Sequence, residues 1–212
     1  MIRVLGRLRF TLAVAAVLVA TQLMVHDQSL HRRMVGRFGT TWELLLHGQL
    51  WRLATAILVE DQPGIRWSIM VPFLWVGVAE WHLGWRRTGL VFFLTDWLST
   101  VPVLIVLRIA SAHSVWSATE LARLDVGTSS AIYGTLAAFC ASRRGSNAWL
   151  APTIVMQSLV TIWLTNRRLF DIQHVVAAGV GIGFGLWFAH SSQAMPPVSR
   201  SGADRFSGSP SS

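Results

Sequence analysis

Six apolar runs constrain this chain more than any other feature. They cover residues 10–25, 67–83, 88–107, 126–142, 148–165 and 172–189, and arginine, histidine or turn residues bound them. A membrane-spanning helix needs about 20 mostly apolar residues, with a working range of roughly 17–25. The runs therefore predict an all-α, polytopic membrane protein: a bundle of six transmembrane helices forming one domain over residues 1–192. The first run is short, but Arg9 at its edge can snorkel to the interface. Leu50–Val59 is apolar but too short to span, and reads as an interfacial or partly inserted piece before the second run.

Composition excludes the alternatives. Charged residues make up 13% of the 212 residues and hydrophobic ones 52%, with a mean hydropathy of +0.48. A soluble domain carries roughly 25% charge, so this chain lacks the polar surface to coat a globule in water. Eleven Trp and ten Phe exclude disorder over most of the length. Cys140 is the single cysteine, which excludes a disulfide framework and a cysteine zinc cluster. It reads as packing on the fourth span.

The net charge of +8 comes from 18 Arg and no Lys. These arginines sit in ones and twos at the ends of apolar runs, as membrane anchors do. They form no dense basic stripe that would track phosphates, so the partner they imply is a lipid bilayer and not nucleic acid. Counting them sets the orientation. With the N-terminus cytoplasmic, Arg3, Arg7, Arg9, Arg86, Arg87, Arg143, Arg144, Arg200 and Arg205 lie inside. Arg32, Arg33, Arg37, Arg52 and Arg66 fall in the long first loop; setting that loop aside leaves nine inside against four outside. The expectation is a multi-pass cell-membrane protein with its N-terminus inside. The first run lacks a clear small-x-small cleavage site with a polar exit, so it reads as an uncleaved helix rather than a signal peptide. Residues 193–212 are rich in Ser, Gly and Pro and read as a disordered cytoplasmic tail.

Polar residues inside spans are costly and point to function. Asp96 lies mid-way along the third run, Ser129 and Ser130 open the fourth, and His174 lies two residues into the sixth. Spans four and six both start from the outer face, so Ser129 and His174 share a depth. A serine hydroxyl is a poor nucleophile until a base takes its proton, and histidine is the usual base. The alternative is bland: membrane serines often bond back to the preceding turn, and a lone histidine can be a packed residue. The local sequence bears on the choice. Gly127 permits a tight turn before span four, whose first turn leaves N–H groups free to stabilise an oxyanion. Ser130, Gly134, Ala137, Ala138 and Ala141 form a small face on span four; His174, Ala178, Gly181 and Gly185 share a face of span six. Small faces let helices approach closely, which would carry His174 towards Ser129. Tyr133, one turn below Ser129, is placed to wedge the imidazole.

These residues resemble the rhomboid intramembrane serine proteases. Gly127-Thr128-Ser129, followed by Ala131-Ile132-Tyr133-Gly134, is similar to the family motif opening the fourth helix, and His174 with Gly181 to its sixth-helix pattern, Ala177 replacing the first glycine. Gln49-Leu50-Trp51-Arg52 with Thr55 resembles the family's Gln-x-Trp-Arg-x-x-Thr segment, and Glu80 to Gly84 its second-helix ending. The resemblance covers roughly residues 40–190 in order. It implies a serine endopeptidase with Ser129 as nucleophile and His174 as base and later acid, a dyad needing no third carboxylate. It implies substrates with a single transmembrane helix, cut near the outer face, and no metal or organic cofactor.

The departures leave two further readings open. Ser130 stands where the family has Gly. The family's His-x-x-x-Asn, which helps hold the oxyanion, falls near Gly64 and Ser68, so Ser68 offers one donor at best. Removing one oxyanion donor costs about 10²–10³ in rate. One reading is therefore a catalytically silent relative that binds membrane helices. The other is a small transporter with Asp96 and His174 in a proton path, against which the lack of repeat symmetry counts. Without that path, Asp96 reads as a carboxyl paired with an arginine, a hydroxyl or water. Glu80 reads as structural, paired with Arg86 or Arg87.

Overall fold

The structure, a computed structural model, describes residues 6–24, 27–60, 67–113, 125–143, 145, 148–166 and 169–191, without the side chains of 24, 67–72, 169 and 170. The expected tail at 193–212 lies outside these residues. Nine helices run along the described chain: α1 (Arg9–Met24), α2 (Gln28–Phe38), α3 (Trp42–Leu46), α4 (Arg52–Ala56), α5 (Trp67–Leu83), α6 (Trp85–Ala112), α7 (Ser129–Ser142), α8 (Leu150–Asn166) and α9 (Leu169–Ser191). The fold is all-α; its one β-type pairing among the described residues is an isolated bridge between Thr40 and Asp125.

Each of the six apolar runs forms a helix, but their lengths differ. Among the described residues, two segments, Trp85–Ala112 and Asp171–Ser191, are by length and composition able to cross a membrane, and Arg9–Leu23 is apolar but shorter. The third run was expected to end near Leu107 but continues to Ala112, through Arg108. It also begins earlier, at Trp85, because Gly84 (φ 80°) closes α5 and lets α6 start at once. With 14 residues, α7 is about 21 Å long.

Helix α7 is the axis of the bundle. Ten of its 14 residues are buried, and α5, α6, α8 and α9 all pack on it. Its small side chains explain how four neighbours fit around one rod. At its N-terminal end, Ala131 and Ile132 join Val14, Leu18, Ile57, Phe73, Val76 and Phe92 in one apolar cluster. Cys140 is buried beside Phe139 and Ala79, as its place on the fourth run suggested.

The 50–59 stretch, expected as an interfacial or partly inserted piece, has two parts: Leu50 and Trp51 are exposed, and Ala56, Ile57 and Val59 enter the core. Arg52, counted as an outer arginine, is buried. Its guanidinium donates to Gln49 Oε1 (2.6 Å) and to the carbonyls of Gly39 (2.6 Å) and Gly36 (3.1 Å). Thr55 Oγ1 donates to the Phe38 carbonyl at 3.1 Å. Gln49, Arg52 and Thr55 thus fold the first loop onto the end of α2. One expectation needs correction, the pairing of Glu80. Its carboxylate accepts the N–H groups of Phe10 (2.9 Å) and Thr11 (2.8 Å). It caps the start of α1, where N–H groups have no intrahelical partner, instead of pairing with Arg86 or Arg87.

Candidate active site

The segment ahead of α7 is fixed residue by residue. Asp125 exchanges two backbone hydrogen bonds with Thr40, at 3.1 and 2.8 Å. Gly127 adopts φ 117°, a region that favours glycine, and its N–H donates to the Ala56 carbonyl at 3.1 Å. Thr128 donates to Glu60 Oε1 through both its hydroxyl (2.7 Å) and its N–H (3.3 Å). Ser129 follows as the first residue of α7 and is exposed.

His174 reaches it from α9, with Nε2 2.8 Å from Ser129 Oγ. The small faces make this possible. A Cβ on Gly181 would collide with the Gly134 carbonyl, and one on Gly185 with the Ala138 carbonyl. The α7 and α9 backbones therefore touch along the stripe that His174 continues. Tyr133 lies against the imidazole, ring centroids 5.0 Å apart and planes at 54°. On the other side, Asp171 Oδ1 is 4.0 Å from His174 Nδ1.

A buried polar network braces this pair. Gln173 Nε2 donates to Thr100 Oγ1 (2.7 Å) and to Asp125 Oδ2 (3.3 Å), and the Thr100 hydroxyl also donates to Asp125 Oδ2 (3.3 Å). It ties α6, α9 and the segment before α7 together, one residue from His174. Burial pushes the Asp125 carboxyl up to about 6, against the pull of the bonds from Gln173 and Thr100.

The expected site residues separate into three groups. Ser129, His174, Tyr133 and Gly127 come together. Gly127 serves as the turn; its N–H is engaged by Ala56 and is not free for an oxyanion. Ser68 lies in the first turn of α5, its side chain outside the described residues. Asp96 is buried in the middle of α6. Sequence reasoning missed Glu60, Gln173, Asp125 and Asp171. Asp171 alone carried a local signal, three residues before His174 and so on the same helix face. The others lie too far apart in sequence to be associated without coordinates.

Chemically, a histidine nitrogen at hydrogen-bond distance from an exposed serine hydroxyl can take that hydroxyl's proton, the arrangement that nucleophilic catalysis by serine requires. The first turn of α7 supplies N–H groups beside that hydroxyl for a developing oxyanion. Among the described residues, no group of three His, Cys, Asp or Glu side chains is placed to hold a metal ion. No protein-family model, curated protein or solved structure matches the chain.

Proposed function

We propose that this chain is a rhomboid-like intramembrane serine endopeptidase that cleaves proteins with a single transmembrane helix. One observation carries the reading: the 2.8 Å contact between His174 Nε2 and the exposed Ser129 Oγ. In the reaction, Ser129 Oγ attacks the scissile carbonyl while His174 Nε2 takes the hydroxyl proton. The tetrahedral intermediate collapses as the imidazolium protonates the leaving amine. Water, activated by the same nitrogen, then releases the acyl group and restores Ser129.

The membrane setting rests on the outer faces of the helices and on the arginine distribution. Leu74, Leu98, Ile154, Leu164 and Trp187 point outward and are exposed, which suits lipid and not water. In the six-span bundle, α7 is shorter than the roughly 30 Å hydrocarbon core. Its N-terminal Ser129 then lies below the outer surface, reached by water through the open side of the site. The orientation has the N-terminus in the cytoplasm, so cleavage falls near the outer face of the cell membrane.

The test is fluorophosphonate labelling of the full chain in lipid, paired with cleavage of a panel of single-span substrates. Wild type is labelled and cuts; Ser129→Ala and His174→Ala lose both. Absence of Ser129-dependent labelling overturns the protease reading and leaves a helix-binding protein.

A further inference from the structure

The His174 ring is turned differently from those of His47, His82 and His190. His47, His82 and His190 each turn Nδ1 onto the carbonyl four residues back, at 2.7, 2.9 and 2.8 Å. His174 instead directs Nε2 at Ser129 and Nδ1 towards Asp171, one turn back on α9. When Nε2 accepts the Ser129 hydroxyl proton, the neutral ring must carry its own proton on Nδ1. Asp171 Oδ1, 4.0 Å away, is the acceptor facing that proton. The other carboxylate oxygen, Oδ2, is buried without a hydrogen-bond partner. Asp171 is thus a mostly buried carboxylate, its side chain 13% exposed, with accepting capacity unused.

We infer that Asp171 is the positioning residue of a Ser129–His174–Asp171 triad, holding the imidazole in its Nδ1–H form and stabilising the imidazolium formed during acyl transfer. This rests on the protease reading above and departs from the dyad that the family resemblance implies. A separation of 4.0 Å is ion-pair range and longer than a hydrogen bond. Catalytic contacts of this kind tighten when substrate excludes water from the site. The proton moves from Ser129 Oγ to His174 Nε2 as the Oγ–C bond forms, and none is transferred on to Asp171.

The surroundings favour Asp171 over any other group. Tyr133 meets the ring from α7 in a tilted ring contact. Asp125, ahead of α7, is engaged by Gln173 and Thr100. Asp96 is the buried acid of α6, and α8 carries no ionisable side chain. Among the described residues, Asp171 is the carboxylate in ionic range of His174.

The experiment measures fluorophosphonate labelling rates and cleavage kinetics for wild type, Asp171→Asn and Asp171→Glu in lipid, with thermal unfolding alongside. Asn keeps the shape and removes the charge. The expected result is a loss in kcat on the order of 10- to 100-fold for Asp171→Asn, with KM and unfolding temperature little changed. Asp171→Glu, which restores the carboxylate, regains most of the rate. A role confined to the start of α9 would lower the unfolding temperature without this kcat-specific loss or its rescue, and that result overturns the triad. A wild type labelled at Ser129 with an Asp171→Asn rate within twofold of it also overturns the triad, and leaves the Ser129–His174 pair standing. No Ser129-dependent labelling of wild type overturns both.

Discussion

Gly181 of α9 lies so close to Gly134 of α7 that a Cβ added at position 181 would strike the Gly134 carbonyl oxygen. That contact sets the distance between the helices carrying Ser129 and His174. Gly181→Ala must therefore move α9 away or strain both backbones, at a cost of about 1–3 kcal/mol. Gly183 lies on the same helix with nothing within 4 Å of its would-be Cβ. Gly183→Ala should be neutral or slightly stabilising, since alanine is the better helix former. Thermal unfolding and Ser129 labelling of the two variants check this: loss of labelling is expected for Gly181→Ala alone.

Glu60 holds the turn that presents Ser129, through its bonds to the Thr128 hydroxyl and N–H. Glu60→Ala leaves two donors without their acceptor, which costs about 1–3 kcal/mol. It also loosens the backbone one residue before the nucleophile. Glu60→Gln keeps an oxygen acceptor and should lose less. The ranking of labelling rates, wild type above Gln above Ala, tests the assignment; equal rates in all three would mean that Glu60 does not position the turn.

The helices were legible because each apolar run has a period-independent, all-round hydrophobic character that ends at Arg, His, Asn or Gly. The α7–α9 contact was legible as well, since small residues recur at helical spacing on both runs. What holds the turn before Ser129 was not. Glu60 and Thr128 are 68 residues apart, and Asp125 and Gln173 are 48 apart. No local pattern links such pairs. Arg52 was set aside from the anchor count with the rest of the first loop, and only the folded loop reveals the three acceptors that bury it. Glu80 misled, because the nearest cations in sequence were Arg86 and Arg87, whereas its partners are backbone N–H groups about 70 positions away.

Those partners make Glu80 a stability residue. Its carboxylate is 1% exposed and caps α1 from α5. Hydrogen bonds to a charged group contribute about 1.5–3 kcal/mol each. Glu80→Ala should lower the unfolding temperature markedly and increase proteolysis near α1, and Glu80→Gln should do so less. Ser129 is on another helix, so its labelling rate below the unfolding temperature should stay close to wild type in both variants. A selective loss of labelling without loss of stability would contradict a purely structural role.

Asp125 makes stability depend on pH in a definite direction. Folded, it holds its proton up to about pH 6, against 3.8 for an ordinary aspartate. Between these values the folded state binds more protons than the unfolded one, so stability falls as pH rises. The contribution is full below about pH 3.8 and is lost as pH climbs through 6; a shift of this size corresponds to about 3 kcal/mol. Asp125→Asn keeps an oxygen to accept from Gln173 and Thr100 and cannot ionise. Thermal unfolding of wild type from pH 4 to 7.5 should show a decline that is much flatter in Asp125→Asn. The variant should be the more stable protein at the upper end of that range. A wild-type curve that rises with pH, or one that Asp125→Asn leaves unchanged, would show that burial of this carboxyl is not what sets the slope.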